Sequence, residues 1–227
     1  ALAVIIFLFI ILYKIIMLEA GGRGEILESG VVKLPKPVLD GEVSVGVALS
    51  QRRSVREYGG RGLTIDELSK LVWSAQGLTS DSGGRTAPSA GGLYPLELYV
   101  FIGNAGGISP GVYGYIPQEH ALKPKILQDL RQELQEFALG QTSIGDAPIV
   151  LVYTAVPQRT SVKYGDRSWR YIHMEAGHAA QNVYLMCEEL GLGTVVVGAF
   201  QDDDVNQLLN LPENQTTIYI QPVGAKK

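Results

Sequence analysis

The sequence predicts an α+β protein, a mixed sheet covered by helices, and three observations carry that expectation. Several segments place apolar residues at helical spacing, others are alternating or β-branched apolar runs, and the two kinds intersperse without regular strand–helix alternation. The 227 residues suffice for one sizeable domain, and 46% hydrophobic with 19% charged residues is the composition of a folded chain. A net charge of −4 argues against a nucleic-acid binder.

Taken in order, residues 1–18 form an apolar run interrupted by Lys14. Its length is about that of a bilayer span, and one charge near its end can snorkel to the interface. The expectation is a hydrophobic helix anchoring the protein in a membrane, with the catalytic domain on the cytoplasmic side, although no Lys/Arg bias in the flanks orients it. A cleaved signal peptide fits less well, because there is no basic start and Leu18-Glu19-Ala20 is a poor cleavage site. A buried or partner-covered helix is the third reading. Residues 19–37, with Gly21-Gly22-Arg23-Gly24 and Lys33-Leu34-Pro35-Lys36-Pro37, read as a linker, and the soluble domain is expected over 38–227.

Within the domain, 42–51 is a short amphipathic helix. Thr64-Ile65-Asp66-Glu67 is a capping box that opens a core-facing helix through Leu68, Leu71, Val72 and Ala75. Residues 96–102 alternate as a strand; 111–116 and 120–123 read as a hairpin; 126–139 is a second helix. The β-branched run 148–155 is a buried strand, and 171–190 is the longest helix, with small residues suited to close packing. A strand at 193–197, an acid-led helix at 202–209 and a final strand at 216–223 complete the chain. Cys187 sits at helical spacing with Val183, Met186 and Leu190 and reads as a small core residue.

Most familiar site motifs are excluded. Gly191-Leu192-Gly193 follows a helix and precedes a strand, the reverse of a dinucleotide fingerprint. Glu175 and His178 have carboxylate-bridged metal spacing but lack a second such pair, so no metal is expected. Ser89 lies outside any nucleophile elbow.

Two segments remain. Arg52, Arg53, Ser54 and Arg56 put three guanidiniums and a hydroxyl within five residues, a fork-rich cradle for phosphate. The competing reading is a solvated helix end whose cations complement the dipole. Pro88, Ser89, Ala90, Gly91 and Gly92 form a loop of small residues running into the strand at 96–102, which lets a ligand approach the backbone or simply turns the chain.

These two segments, in order with Lys163-Tyr164-Gly165-Asp166-Arg167, Gly177-His178-x-x-Gln181-Asn182, Gly198-Ala199-Phe200 and Pro222-Val223-Gly224, resemble the FMN-dependent nitroreductase superfamily. More narrowly they are similar to its SagB-type dehydrogenase branch, over about 34–224. The resemblance implies a nitroreductase-like fold and a homodimer with FMN at the subunit interface. It places Arg52, Arg53 and Ser54 at the FMN phosphate and ribityl chain, and Arg56 near the pyrimidine edge. Pro88, Ser89, Ala90, Gly91 and Gly92 would border the isoalloxazine; Gly92 stands where many relatives carry a ring-binding Asn. Gly198 and Ala199 match the turn beside flavin N5, and Lys226 loosely matches a carboxyl-terminal phosphate ligand. Lys163 and Tyr164 match a pair implicated in azoline oxidation, where they would remove the substrate proton as hydride leaves to N5. The alternative for these two is a packed Tyr164 and a solvated Lys163. The implied activity is oxidation of thiazolines or oxazolines in a modified peptide. A nitro or quinone reductase with NAD(P)H as co-substrate is the alternative, and a membrane-tethered, non-catalytic binding module is the reading from another class.

Overall fold

A computed structural model describes Glu25–Ile26 and residues 30–227. The expected apolar helix at 1–18 lies outside the described residues; among those, no helix is long and apolar enough to cross a membrane.

Among the described residues, eight strands form one sheet in the order β1-β2-β5-β4-β3-β6-β8-β7. They are β1 Glu25–Ile26, β2 Val32–Lys33, β3 Leu96–Ile102, β4 Gly111–Ile116, β5 Ala121–Ile126, β6 Ile149–Ala155, β7 Leu192–Thr194 and β8 Thr216–Ala225. Every pair of neighbouring strands is antiparallel, so the expected mixed sheet is corrected to an antiparallel one. Short connections from β3 through β4 to β5 dictate that direction, since a parallel return needs a long crossover. Parallel pairing survives only as isolated bridges, Ser54 with Thr194 and Leu63 with Ala105.

The helices are α1 Val45–Gln51, α2 Ile65–Gln76, α3 Arg131–Phe137, α4 Thr142–Asp146, α5 Gln158–Tyr164, α6 Ser168–Glu189 and α7 Asp202–Leu208. β6 is buried along its whole length, and its side chains divide between two cores. Ile149, Leu151, Tyr153 and Ala155 pack with α2 and α6, through Leu68, Leu71, Ile172, Ala176 and Val183. Val150 and Val152 pack with α3, α4 and α7, through Leu134, Ile144 and Val205. Each fully buried Leu or Ile contributes about 1.5–3 kcal/mol relative to exposure. α2 carries the expected capping box, Thr64 Oγ1 accepting from the Glu67 amide and Glu67 accepting from the Thr64 amide.

Elsewhere the structure departs from expectation. The helix expected over 126–139 starts only at Arg131, because Ile126 ends β5 opposite Val112. Pro124 concealed this strand, and it is tolerated because the β4–β5 register shifts between Val112 and Tyr113, where a ladder donor is dispensable. The segment expected as linker is packed structure from Val32 onward. Val32 pairs with Leu122, Val32 and Leu34 are buried, and the Pro35 carbonyl accepts from the Ser69 hydroxyl. The short helices α4 and α5 carry too few apolar repeats to announce themselves.

Candidate active site

α6 is the rod along which the candidate residues are arranged. At its carboxyl-terminal end, α1 delivers the 52–56 segment. Ser44 caps α1, accepting from the Val47 amide, and the chain leaves the helix at Arg52. Arg52 lies over the Tyr184 ring of α6, 5.0 Å from its centroid. Ser54 Oγ sits 3.1 Å from Tyr184 Oη, which also accepts from the Val196 amide at 3.1 Å. The Val55 amide donates to the Thr194 carbonyl, so this segment is laid against β7. Arg53 instead donates to the Ser50 and Arg52 carbonyls, the helix-capping role that the competing reading assigned to the cluster. Arg56 is exposed. One turn beyond Tyr184, Glu188 is buried and takes Lys226 as its partner at 2.6 Å. Lys226 therefore stands beside the Arg52 cluster with its charge already paired.

Val196 leads into the turn with Gly198 and Ala199. Both are exposed, and the Ala199 carbonyl accepts from Gln141 Nε2. Tyr184 thus ties the 52–56 segment to the strand end that leads into this turn.

The small-residue loop runs back along α6 in the opposite direction. Asn182 donates to the Thr86 carbonyl at 3.1 Å. Ser89 Oγ accepts from the Tyr94 amide, and Ala90–Gly92 forms a single 3-10 turn. Gly91 has φ +64, and a Cβ there would lie 2.9 Å from Tyr164 Oη and 3.0 Å from Lys163 Nζ. The loop and the Lys163–Tyr164 pair, 72 residues apart in sequence, therefore meet at Gly91, whose left-handed backbone favours glycine. Tyr164 packs edge-on against Tyr171 in the first turn of α6, ring centroids 4.8 Å apart. A Cβ at Gly92 would meet nothing within 4 Å, leaving one side of the turn open.

The candidate residues thus form two clusters: Arg52, Ser54 and Lys226 at one end of α6, and Gly91, Lys163 and Tyr164 at the other. Tyr171 and Tyr184, which mark them, are thirteen residues apart on one helix, about 20 Å at 1.5 Å per residue.

Three residues beneath the loop, Glu175, Arg85 and Gln76, had no place in the expected site, and Glu175 was weighed only as half of a metal pair. Glu175 is 2% exposed, and burial pushes its carboxyl up to about 7 against partial lowering by the Ser89 hydroxyl and the Arg85 charge. Arg85 lies over the Tyr94 ring at 4.5 Å and donates to Gln76 Oε1 at 2.7 Å. The available signal was a glutamate inside the apolar stripe of Ile172, Ala176 and Ala179. His178 is exposed while Glu175 is buried, so the pair does not converge on a metal. No metal-ligating cluster occurs among the described residues. Cys187 is buried as expected, and burial raises its thiol far above the ordinary range.

An antiparallel sheet backed by a long helix, with an arginine cradle and a glycine turn at that helix's two ends, defines an α+β protein of the nitroreductase-like class. The model of the Nitroreductase family matches residues 49–225, and the chain belongs to that family. It is 46% identical over 185 residues to MJ1384 of Methanocaldococcus jannaschii, which carries the nitroreductase name, spanning 82% of this chain and 92% of that one. It is 29% identical over 158 residues to the microcin B17-processing protein McbC of Escherichia coli, spanning 66% of this chain and 58% of McbC. Among solved structures, a Ralstonia eutropha JMP134 protein also carrying the nitroreductase name superposes with a TM-score of 0.78 at 31% identity, over 91% of this chain and 94% of that one. A chain of the E. coli microcin synthetase McbBCD complex, with truncated pro-MccB17 bound, shares the fold at a TM-score of 0.66 and 24% identity, over 86% and 77%. The recognition of the family from its motifs is borne out, and the likeness to McbC supports the SagB-type branch.

Proposed function

We propose that the protein is an FMN-dependent oxidoreductase that dehydrogenates azoline rings in a modified peptide. The observation that carries this reading is the meeting of Gly91 with Lys163 and Tyr164. At Gly91 the missing side chain makes way for the amine and the phenol, which supply proton-transfer groups, and at Gly92, where a Cβ would meet nothing within 4 Å, the turn is open to a flat ring. The residues fit the cofactor at its other end as well, where Arg52 and Ser54 offer a guanidinium and a hydroxyl for a phosphate. Lys226 lies nearby, but its charge is taken up by Glu188, so Arg52 and Ser54 carry the phosphate assignment. Bound FMN would supply a two-electron acceptor at N5; Lys163 and Tyr164 would take the substrate proton, and Gly198 with Ala199 would leave room beside that atom. The likeness to McbC, a peptide-processing protein, supports the substrate class.

The same geometry supports a homodimer. Two clusters about 20 Å apart along one helix suit a site completed by a second copy. Gly177, in the interior of α6 and exposed, costs about 1 kcal/mol against alanine, and a Cβ there would meet nothing within 4 Å of its own chain. Close approach of a partner helix gives that glycine a purpose. Val45, Val47 and Leu49 on α1 are further exposed apolar residues. The apolar run at 1–18 supports a membrane-associated protein.

A second reading, reduction of nitro or quinone compounds by NAD(P)H, is favoured by 31% identity over 97 residues to the NADPH-flavin oxidoreductase of Vibrio harveyi. Purification and anaerobic titration separate the readings. Flavin absorbance near one per chain, bleached by an azoline peptide, is the expected result. Bleaching by NAD(P)H alone would favour the reductase. A colourless protein that takes up no added FMN would remove both and leave a non-catalytic binding module.

A further inference from the structure

Five buried side-chain atoms lack a hydrogen-bond partner among the described residues, and three of them, Gln76 Nε2, Arg85 Nε and Glu175 Oε1, belong to one cluster beneath the 88–92 loop. Their residues come from three different elements: the end of α2, the 78–88 connection and α6. Gln76 is 1% exposed and Glu175 2%, yet Glu175 and Arg85 form no direct ion pair. Orphaned donors and acceptors gathered around a carboxyl and a guanidinium mark a place for bound water, since leaving them bare costs about 1–3 kcal/mol each. Directly above lies Ser89, whose hydroxyl holds the Tyr94 amide and whose carbonyl holds the Gly92 amide at 3.0 Å.

We propose that Glu175 is a positioning residue: with Arg85 and Gln76 it encloses ordered water beneath Ser89, and this buried cluster sets the conformation of the Gly91–Gly92 turn. Its bearing on cofactor binding rests on the flavin reading; its bearing on the turn does not. The ionisable group that acts on Glu175 is Arg85, which in turn feels Glu97, Tyr94 and Arg159. Glu97 and Arg159 are paired with each other. A buried carboxyl whose folded affinity for a proton is raised favours the folded loop below its unfolded pKa of about 4.5, and that contribution fades as pH rises through about 7. Deprotonation then leaves a charge that Arg85 only partly offsets, and the turn loosens.

Amide hydrogen exchange in the cofactor-free protein tests this. Once the intrinsic pH dependence is removed, exchange at Tyr94 and Gly92 should quicken about tenfold between pH 6 and 8, the factor of one pKa unit. Glu175→Gln, a neutral isostere, should abolish that pH dependence and keep both amides protected. Glu175→Ala should expose both at every pH, while amides in β6 stay protected in both variants. Arg85→Met, which removes the donors to Gln76, gives a second handle and should also loosen Tyr94. A flat wild-type profile, or an unaltered one in Glu175→Gln with β6 protected, would overturn the proposal. If none of these proteins takes up FMN, the exchange result stands and the flavin reading alone fails.

Discussion

The two ends of α6 solve the problem of receiving a ligand in opposite ways. At the carboxyl-terminal end, side chains do the holding: Arg52 lies on Tyr184, Ser54 meets its hydroxyl, and Lys226 is fixed by Glu188. At the amino-terminal end, missing side chains do it: Gly91 leaves only enough room for Lys163 and Tyr164, and Gly92 leaves open space. A site of the first kind is damaged by removing atoms, and one of the second kind by adding them. The contrast also explains why the first end can be read as a cradle from local residue types, whereas the second leaves a ligand loop and a plain turn open as readings until Lys163 and Tyr164 arrive from far away in sequence.

The contrast is most sharply tested by adding atoms. Gly91→Val combines a left-handed backbone with direct overlap on Tyr164 and Lys163, and about 2–4 kcal/mol of stability should be lost. Urea unfolding measures this, and flavin retention should vanish with it. Removing atoms at the opposite end should have a smaller and more selective effect. Arg52→Ala should weaken FMN binding about 10- to 100-fold, the worth of a charged hydrogen bond, with the melting temperature nearly unchanged. Unaltered flavin retention in that variant would show that the phosphate assignment is wrong. Tyr184→Phe removes only the hydroxyl shared by Ser54 and Val196, so about 1 kcal/mol of stability should go, together with a modest loss of affinity. The smallest change acts between the two ends. Gly177→Ala should stabilise an isolated chain by about 1 kcal/mol yet weaken self-association, read by sedimentation against melting temperature. Stabilisation with unchanged association would remove the helix-crossing argument for a dimer.

What could be read in advance follows the range of the forces involved. α2 was legible because its capping box and apolar face are local, and β3 because alternation is local. The 52–56 segment could be recognised as a cradle, but the division of labour within it could not. Whether a guanidinium caps its own helix, as Arg53 does, or stacks on a distant ring, as Arg52 does, depends on where α6 passes. The antiparallel order of the sheet was hidden for a similar reason, since strand direction depends on which strands become neighbours. Val32 and Leu34 looked like linker because Gly and Pro surround them, and only the β5 edge gives them a place to be buried. Glu175 was weighed only as half of a metal pair: a carboxyl inside an apolar stripe takes on another meaning once the loop above it and Arg85 beside it are in place.

The early start of the packed domain has a consequence for reach. If residues 1–18 lie in a bilayer, the tether does not run freely to Val38. Glu25 and Ile26 pair with Lys33 and Val32 at the sheet edge, so six residues, 19–24, separate the apolar run from β1 in sequence. Six residues extend to at most about 20 Å. The enzyme would ride close against the lipid headgroups by its β1–β2 corner, and a bulky peptide substrate would have to approach from the side turned away from them.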